Sequence, residues 1–566
     1  MSDGVTHESR SKMTRVSHCV RMLFASAVAA SCVRTAPIPA VTSPEISEAN
    51  LRHRLFLIAA DSMMGRETGS EGAYKAAEYI ASEFRRLGLE PAGDNGSYFQ
   101  TVPFWRAAAD PNSRLELGTT RLVLGSDFVP ASVFAQGRTL DGVTAVFAGS
   151  VTDSSRWISA EQAAGKIVVL EVPSGLRGVQ LMNPRWRDAV AIAAIVLDQV
   201  GPETVARLRE GRPVPDSGRN PRLMPVVWLS NHAVTTLFGP DPTRLSPGAT
   251  SAPIRGHFDI SRTPVAFPAR NVVAVVRGSD PALRGQYVSL TAHNDHVGFD
   301  HFPVDHDSVR AFNRVVRPMG ADSPLRPPTT DEWRQIRSIL DSLRRVRPPR
   351  LDSIRNGADD DGTGTVSILE IAEAMALGKA HPRRSILFVS HTGEEAGLLG
   401  SRWFTDHATV PLDSIVGEID QDMVGRGLAT DFPRGGTGAG SPGYLEVIGA
   451  KRLSREFGEM LEAASARQPV PFNFDYTYDQ PGHPLQYYCR ADHYSYARYG
   501  IPSVAMSRGE HLDYHQVTDE PQYISYPDLA RVSRMVYDAA LSIANMPVRP
   551  KLDAPKQTNP NAPCRQ

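Results

Sequence analysis

The sequence has few cysteines and almost no net charge. It contains 4 cysteines in 566 residues, and after Cys32 only Cys489 and Cys564 remain. This scarcity excludes a disulfide-stapled scaffold, although it allows a single bridge in an exported protein. The 61 lysines and arginines nearly balance the 62 aspartates and glutamates, which leaves a formal net charge of −1. Such a balance argues against nucleic acid or an anionic membrane as the main partner.

Several catalytic motifs are also absent. The sequence has no H-E-x-x-H, no G-x-S-x-G and no Walker A motif, which excludes helix-borne zinc proteases, hydrolases with a nucleophile elbow and P-loop enzymes. One G-x-G-x-x-G match at residues 438–443 includes Pro442 and follows a loop of glycine and proline rather than a strand. We therefore do not expect a bound dinucleotide.

The N-terminal residues predict export. Lys12, Arg15 and Arg21 precede a short apolar stretch at residues 22–30, an order that is typical of a secretory signal and too short for a membrane span. The alternative is a disordered tail. Cys32 follows small residues in an approximate lipoprotein cleavage site, so the sequence also allows a lipid anchor there. We expect a periplasmic or secreted protein, either free or anchored to a membrane through Cys32.

The length predicts more than one domain, because a single hydrophobic core stops growing at roughly 250–300 residues. Changes in composition and in hydrophobic pattern divide the chain further. The predicted divisions are a signal and linker at 1–44, the first part of a main domain at 45–125, a β-rich inserted module at 126–262, the rest of the main domain at 263–548, and a tail at 549–566.

The main domain is predicted to have an α/β fold. Near-continuous apolar stretches, such as residues 287–290 and 385–389, alternate with amphipathic helical patterns such as residues 362–378. This alternation favours a mostly parallel sheet covered by helices on both faces. An arginine-rich insertion at 299–355 interrupts the pattern, and its residues 330–346 predict an amphipathic helix. That helix is either a solvated surface element or a lid near the functional site.

Acidic residues and histidines cluster at predicted strand ends and at one strand-to-helix turn. The clusters contain His293 and Asp295, Asp359 to Asp361, Glu394 and Glu395, Asp420 and Asp422, and His511 and His515. Ligands bind beyond the carboxyl ends of the strands in a doubly wound sheet, so these side chains should converge there. Converging carboxylates repel each other unless cations neutralise them, and a pair of divalent ions is the simplest neutraliser. Imidazole and carboxylate without thiolate favour zinc over manganese or cobalt.

The adjacent glutamates, Glu394 and Glu395, predict a division of roles. Neighbouring side chains on an extended segment point in different directions. We therefore predict that Glu395 binds a metal, and that Glu394 is the general base that takes a proton from water and delivers it to the leaving amine. Asp295 is placed to hold the second ring nitrogen of His293. Each cluster alone is also explained by a turn or a helix cap, and only their joint occurrence favours a metal site.

These segments resemble the M28 family of metallopeptidases, the group of di-zinc aminopeptidases with a zinc-exopeptidase fold. The resemblance covers about 45–125 and 266–545, and its motifs include AHNDHVG, NGADDDGTGT and HTGEEAGLLGS. It implies two zinc ions held by the following residues: His293 and Asp422 on one ion, Glu395 and His515 on the other, and Asp360 as the bridge.

The resemblance also implies roles for residues outside this set. Tyr488 resembles a tyrosine that helps to polarise the scissile carbonyl, and Asp492 is expected in the structural frame of the site. The module at 126–262 resembles a protease-associated (PA) domain, with GKIVVL as its most characteristic segment. Domains of this type usually cover the active-site cleft.

The resemblance implies an exported zinc exopeptidase that acts on the N-termini of peptides or proteins as an aminopeptidase. A carboxypeptidase, a dipeptidase or a glutaminyl-cyclase-type enzyme on the same fold is the nearest alternative. A non-catalytic receptor on this scaffold is a further alternative, although the intact set of ligands and base argues against it.

Overall fold

A computed structural model describes residues 42–174, 181–216, 220–239, 245–324, 326–433 and 439–566. The predicted signal and Cys32 lie outside these residues. The helices are α1 Glu48–Ile58, α2 Glu71–Arg86, α3 Ala160–Ala163, α4 Pro202–Glu210, α5 Asn231–Phe238, α6 His306–Val315, α7 Thr330–Arg344, α8 Gly364–Leu377, α9 Leu399–Asp406, α10 Arg455–Ala466, α11 His493–Ala497 and α12 Tyr526–Ala544.

The strands are short, and most of them belong to two regions of the chain. They are β1 Glu90–Pro91, β2 Phe99–Val102, β3 Phe104–Ala109, β4 Arg114–Leu117, β5 Thr120–Leu122, β6 Phe128–Pro130, β7 Arg138–Val143, β8 Ala145–Ser150, β9 Ile167–Glu171, β10 Ala191–Ile195, β11 Arg212–Pro215, β12 Val226–Leu229, β13 Ile254–Phe258, β14 Ile260–Pro264, β15 Ala269–Val276, β16 Tyr287–His293, β17 Phe299–Asp305, β18 Leu351–Ile354, β19 Ser385–His391, β20 Ile415–Gln421, β21 Tyr444–Ile448, β22 Asn473–Asp475 and β23 Ser503–Ser507.

The largest sheet has nine strands in the order β1-β15-β19-β16-β20-β23-β21-β22, with β2 also paired to β15. The neighbouring strands β19, β16, β20 and β23 are all parallel, whereas β15 and β21 join them antiparallel. The α/β fold is confirmed, but the sheet is mixed, and its longest parallel run is these four central strands. Central strands that are buried on both faces have similar sequences in either direction, so the pattern does not reveal their orientation.

Helices cover both faces of this sheet, which explains why its central strands are apolar throughout. Leu290 of β16 and Phe388 of β19 belong to one core with residues of α1, α2, α8 and α12. Leu387 and Val389 pack instead with Phe404 of α9 and Tyr496 of α11. Successive residues of β19 thus face different helix layers, as the two-residue period of a strand requires.

A second region contains smaller sheets with a separate apolar core. Strands β6-β12-β10-β9-β8 form one sheet, and strands β5-β4-β13-β7 form another. Phe128, Val169 and Phe258 pack together in the core between them. A further sheet, β11-β3-β14, extends this region to residues 104–264. The predicted boundaries of 126 and 262, and the identity of the module as a PA domain, stay predictions.

The arginine-rich insertion at 299–355 folds as the β17–β18 ladder with α6 and α7, and it contacts the loop at 511–515. The Asn313 amide donates a hydrogen bond to the Leu512 carbonyl at 2.9 Å, and the Ala321 N–H donates to the Tyr514 carbonyl at 3.1 Å. Helix α7 covers most of the predicted amphipathic helix, and of its residues Ile336 is buried. The insertion therefore braces the loop that carries His515.

A disulfide between Cys489 and Cys564 ties the C-terminal tail to the main domain. Gln566 strengthens this attachment, since its side-chain oxygen accepts a hydrogen bond from the Tyr488 N–H at 2.9 Å. The tail therefore follows the surface of the domain. None of the described helices combines the length and the apolar character that a bilayer-spanning helix needs.

A buried ion-pair cluster joins three helices under the main sheet. Arg54 of α1 is fully buried and pairs with Glu370 and Glu373 of α8, and with Glu83 of α2 at 3.2 Å. Removing the arginine would leave buried carboxylates without their cation, which is the costly way to break such a pair.

We expect Arg54→Met to lower the free energy of unfolding by about 3–5 kcal/mol. Urea denaturation followed by circular dichroism measures the effect. The matched control is Lys75→Ala, which removes an exposed pair with Glu71 and should cost less than about 0.5 kcal/mol. Equal stability of the two variants would contradict the role assigned to Arg54.

Candidate metal centre

The predicted site residues meet at the carboxyl ends of the central parallel strands. His293 is the last residue of β16, Asp422 follows β20, and Glu394 and Glu395 follow β19 after a short turn. His515 lies in the loop after β23, and Asp360 lies in the turn before α8. Parallel neighbours end at the same edge of a sheet, so segments far apart in the chain present their side chains to one place.

The carboxylates of the three consecutive aspartates before α8 point in different directions. Asp361 accepts hydrogen bonds from the N–H groups of His293 and Gly364, at 3.0 and 2.8 Å. Asp359 accepts one from the Gly425 N–H at 2.7 Å and has the His511 ring at 3.2 Å. Asp361 and Asp359 therefore fix the turn, and Asp360 is the carboxylate left to face the other site residues.

One group of donor atoms forms around His293. Its Nε2 lies 3.0 Å from Oδ1 of Asp360 and 3.6 Å from Oδ1 of Asp422. Ligand atoms of these three residues lie within 4.8 Å of one another, a spacing that allows them to hold a metal ion. All three were predicted from the sequence.

A second group forms on the other oxygen of Asp360. The Nε2 atom of His515 lies 2.9 Å from Oδ2 of Asp360 and 3.0 Å from Oε1 of Glu395. The Nδ1 atom of His296 lies 2.8 Å from the same glutamate oxygen. Ligand atoms of these four residues also lie within 4.8 Å of one another. Asp360 thus faces one group with each carboxylate oxygen, which is the geometry that a bridging ligand needs.

The hydrogen bonding of the donor atoms tests whether this site fits a metal ion. Among the described residues, the following buried ligand atoms have no hydrogen-bond partner: Nε2 of His293, Nδ1 of His296, Oδ2 of Asp360, Oε1 of Glu395, Oδ1 of Asp422 and Nε2 of His515. Buried polar atoms are nearly always hydrogen-bonded, so such a cluster requires another partner. Nitrogen and carboxylate donors converging within one cavity fit a divalent cation.

His296 was not predicted from the sequence as a ligand. This side chain is fully buried, and neither of its ring nitrogens has a hydrogen-bond partner within the described part of the chain. The available signal was the second histidine of HNDH, three residues after His293 in a non-helical turn. A turn of this kind brings both rings to the same strand end, so the two histidines deserve equal weight as ligand candidates.

Asp295 supports the site differently from the prediction. The Nδ1 atom of His293 lies 3.0 Å from the backbone oxygen of Asp295 but 3.7 Å from its carboxylate. The carboxylate accepts hydrogen bonds from the Thr68 hydroxyl at 2.7 Å and from the Glu394 N–H at 3.1 Å. Asp295 therefore orients the histidine mainly through its backbone and positions Glu394 through its side chain.

The pKa values of the adjacent Glu394 and Glu395 are shifted in opposite directions. Burial and Asp360 would raise the pKa of Glu395, but His515 and His296 lower it to about 2. Burial raises the pKa of Glu394 well above its usual range, and Glu395 adds to the shift while His293 opposes it. A carboxylate with a raised pKa and no ligand position is suited to carry a proton. The predicted division of roles between Glu394 and Glu395 agrees with this difference.

Tyr488 is not among the residues that line the cavities beside the donor atoms, and its role in polarising the carbonyl stays a prediction. Its ring packs over the Arg452 guanidinium at 3.9 Å and against the ring of His493. The preceding residue, Tyr487, lines the cavity instead. Adjacent residues in this irregular turn point in different directions, and no periodicity in the sequence identifies which of them faces inward. Asp492 is buried beside the site, with an exposed fraction of 1%.

Three cavities border the donor atoms. The small cavity has a volume of about 70 Å³ and borders Asp360, Asp422 and Glu394. The large cleft has a volume of about 560 Å³ and borders Glu394, Glu395 and His515, with the tail residues 560–564 as one wall. A third cavity of about 220 Å³ borders His296 and Glu395. The donor atoms therefore border one small cavity and two larger ones.

Comparison with known proteins agrees with this geometry. Residues 271–540 match the family model described as Peptidase family M28. The chain carries a family M28 peptidase domain. It is 28% identical over 251 residues to leucine aminopeptidase 1 of Penicillium rubens, which covers 43% of this chain and 61% of the relative. It is 29% identical over 228 residues to leucine aminopeptidase 1 of Coccidioides posadasii, covering 38% and 54%. The chain thus spans about half to three fifths of these relatives.

Two solved structures share the fold of this chain. A zinc aminopeptidase from Bacillus subtilis superposes with a TM-score of 0.50 at 17% identity, covering 88% of this chain and 95% of its own. An aminopeptidase from Aneurinibacillus sp. strain AM-1 gives a TM-score of 0.50 at 16% identity, covering 91% and 98%. Because the identities are this low, the superpositions establish the common fold and nothing beyond it.

We expect Asp360→Asn to lose most of its bound metal, because the substitution weakens a donor that both groups share. Inductively coupled plasma mass spectrometry of the dialysed protein measures the metal per chain. The control is Asp413→Asn, whose side chain is exposed on the surface and pairs with Lys556. A variant that folds and retains the metal content of the control would refute the bridging role.

Proposed function

We propose that this chain is a zinc-dependent aminopeptidase that releases N-terminal residues from peptides. The M28 domain and the donor groups around Asp360 support metal-assisted hydrolysis. The name of the Bacillus subtilis neighbour supports zinc, and the names of the fungal relatives support action at the N-terminus. We extend the activity in these names to this chain, which matches only part of each fungal relative.

Two zinc ions are proposed, one for each donor group. His293, Asp360 and Asp422 would hold the first, and Asp360, Glu395, His515 and His296 would hold the second. Histidine nitrogen and carboxylate oxygen are preferred zinc ligands, and a set of three protein ligands leaves a position for a reactant. When bound, the zinc ions would supply Lewis acidity and increase the acidity of water.

The difference in volume between the cavities beside the donor atoms carries the exopeptidase proposal. A space of about 70 Å³ holds roughly five water-sized groups, which is enough for a single side chain. The cleft of about 560 Å³ accepts a longer chain. A peptide bound with its scissile bond at the metal centre would therefore place one terminal residue in the small cavity and the remainder in the cleft.

The charges around the small cavity favour a terminal amine over a terminal carboxylate. Glu394 and Asp422 lie at its entrance and would attract a protonated α-amine. Arg490 is the cation among its described lining residues, and its guanidinium already pairs with Asp322 at 2.8 and 3.2 Å. A carboxypeptidase would need a free cation here, so the charges argue for the aminopeptidase.

Glu394 is the residue proposed to move protons. Its Oε2 lies 4.0 Å from Nε2 of His293, and its backbone is held by Asp295, so its carboxylate faces the donor groups. In the proposed reaction Glu394 takes a proton from the attacking water and then delivers it to the amine nitrogen that leaves. The peptide C–N bond breaks and a C–O bond to the water oxygen forms. Glu394 returns to its initial protonation state because it passes on the proton that it took.

The alternatives predict other substrates. A glutaminyl-cyclase-type enzyme would close an N-terminal glutamine without consuming water, and a receptor would bind peptides without turnover. We also propose export of the chain, because a periplasmic or secreted location would allow the Cys489–Cys564 disulfide to persist. A lipid anchor at Cys32 belongs to the same proposal.

We expect the purified protein to cleave aminoacyl-p-nitroanilides with a free α-amine, and their N-acetylated counterparts at most at background rates. The absorbance of released p-nitroaniline measures both. Removing metal with 1,10-phenanthroline should abolish activity, and added zinc should restore it. Cleavage of only the acetylated substrates would rule out an aminopeptidase.

We expect Glu394→Gln to lower kcat by about 10²- to 10⁴-fold, because glutamine keeps the shape but cannot accept the proton. Steady-state kinetics measures the change, and metal analysis should find the wild-type content in the same preparation. The matched control is Glu462→Gln, which removes an exposed carboxylate paired with Lys451. Wild-type turnover in Glu394→Gln would refute the assigned base.

A further inference from the structure

The small cavity is floored by one face of two antiparallel strands. In the ladder between β21 and β23, Glu446 lies opposite Ser507 and Ile448 lies opposite Ala505, and all four residues line the cavity. Because side chains two residues apart on a strand share a face, this arrangement places Glu446 and Ile448 side by side under the same space. The metal donors form its entrance.

Glu446 is a buried carboxylate without a partner. Its exposed fraction is 1%, and neither carboxylate oxygen has a hydrogen-bond partner within the described residues. Burial raises the pKa of Glu446 well above its usual range, and the carboxylates of Glu510 and Asp475 add to the shift. An isolated buried carboxylate is unfavourable in a folded protein, so its retention at the floor of a cavity points to a partner that arrives with a ligand.

A second carboxylate, that of Glu510, faces the same cavity. Burial raises the pKa of Glu510 to about 7, although the nearby Tyr487 hydroxyl opposes the shift. Arg490 also borders the cavity, but Asp322 of the insertion holds its guanidinium. Besides Asp360, Asp422 and Glu394 of the metal centre, the cavity thus presents two further acidic groups and no uncommitted cation among its described lining residues.

The remaining walls are apolar. Met423 and Met506 line the cavity together with Ile448 of the floor. Such walls suit the methylene stem of a long side chain whose charged tip needs a polar end. The volume of about 70 Å³ allows roughly five water-sized groups, comparable with the heavy atoms of a lysine side chain.

We infer that the small cavity binds the side chain of the N-terminal residue of the substrate, and that Glu446 and Glu510 select a positively charged one, lysine or arginine. The inference rests on the proposed aminopeptidase function, because that function places the N-terminal residue beside Glu394 and Asp422. A cationic tip would give both carboxylates a partner and form charge-assisted hydrogen bonds. Leucine would leave the buried carboxylate of Glu446 without a partner.

The test compares the p-nitroanilides of lysine, arginine, norleucine and leucine on the zinc-loaded enzyme. Norleucine matches the lysine stem and lacks the ammonium group, so it isolates the charge. We expect kcat/KM for lysine to exceed that for norleucine by about 10- to 100-fold, the range of hydrogen bonds to charged groups. In Glu446→Gln this advantage should disappear, while kcat/KM for norleucine should change by less than about threefold. Glu510→Gln should reduce the advantage in the same direction.

The matched control is Asp475→Asn. Asp475 lies beside Glu446 on the outer strand β22, does not line the cavity and accepts a hydrogen bond from the Tyr444 hydroxyl at 3.0 Å. This variant should keep the preference for lysine. Equal or better cleavage of norleucine by the wild type would overturn the inference, as would an equal loss on all substrates in Glu446→Gln.

A binding measurement that needs no turnover distinguishes a failure of this inference from a failure of the proposed function. Calorimetry on the wild-type zinc enzyme compares lysine amide with norleucine amide, and it requires neither hydrolysis nor a variant that folds. Tighter binding of lysine amide by about 10-fold or more supports the inference even if no p-nitroanilide is cleaved, which would refute the aminopeptidase alone. Equal binding of the two amides would overturn the inference even if leucine substrates are cleaved.

Discussion

The imidazoles and carboxylates at the carboxyl ends of the central strands form one buried cluster of donor atoms around Asp360. Asp360 offers one oxygen to each of two donor groups, and most of the atoms around it have no hydrogen-bond partner in the described structure. Several carboxylates share this buried space, where like charges repel each other strongly. Zinc, as proposed, would convert this repulsion into coordination, so the loops that carry these residues are organised around the metal.

The surrounding structure restricts each donor to one direction. Asp361 holds the His293 backbone, and the Asp519 carboxylate accepts the N–H groups of Asp359 and Asp360 at 2.9 and 3.2 Å. Arg426 in turn contacts Asp519 and pairs with Asp513 at 2.9 Å, on the loop that leads to His515. These contacts fix backbone as well as side chains, which explains how loops rather than rigid strands can maintain the site. The insertion at 299–355 adds a further brace to the same loop.

Much of this arrangement follows from the sequence, because strand ends and charge are local signals. The α/β fold, the run of parallel strands and the convergence of acidic residues and histidines were predictable from apolar strands that end in such residues. The choice of the five ligands as a set, including Asp360, came from the resemblance to family M28. Strand direction at β15 and β21 was not predictable, since a buried strand has the same pattern in either orientation. The choice between Tyr487 and Tyr488 depends on an irregular turn. Glu446 gave no signal, because an isolated glutamate in a short apolar strand acquires its meaning only from the neighbours that bury it.

In the proposed enzyme, metal chemistry and substrate selection would be specified by different parts of the chain. The donor groups lie on turns at the ends of β16, β19 and β20, whereas the floor of the small cavity lies on β21 and β23. Substitutions on the floor would then alter the selected side chain without changing a metal donor. The relatives named leucine aminopeptidase share 28% to 29% identity over less than half of this chain. That likeness supports a common reaction, but a leucine preference would require an apolar floor, and here the floor contains the buried and unpaired carboxylate of Glu446.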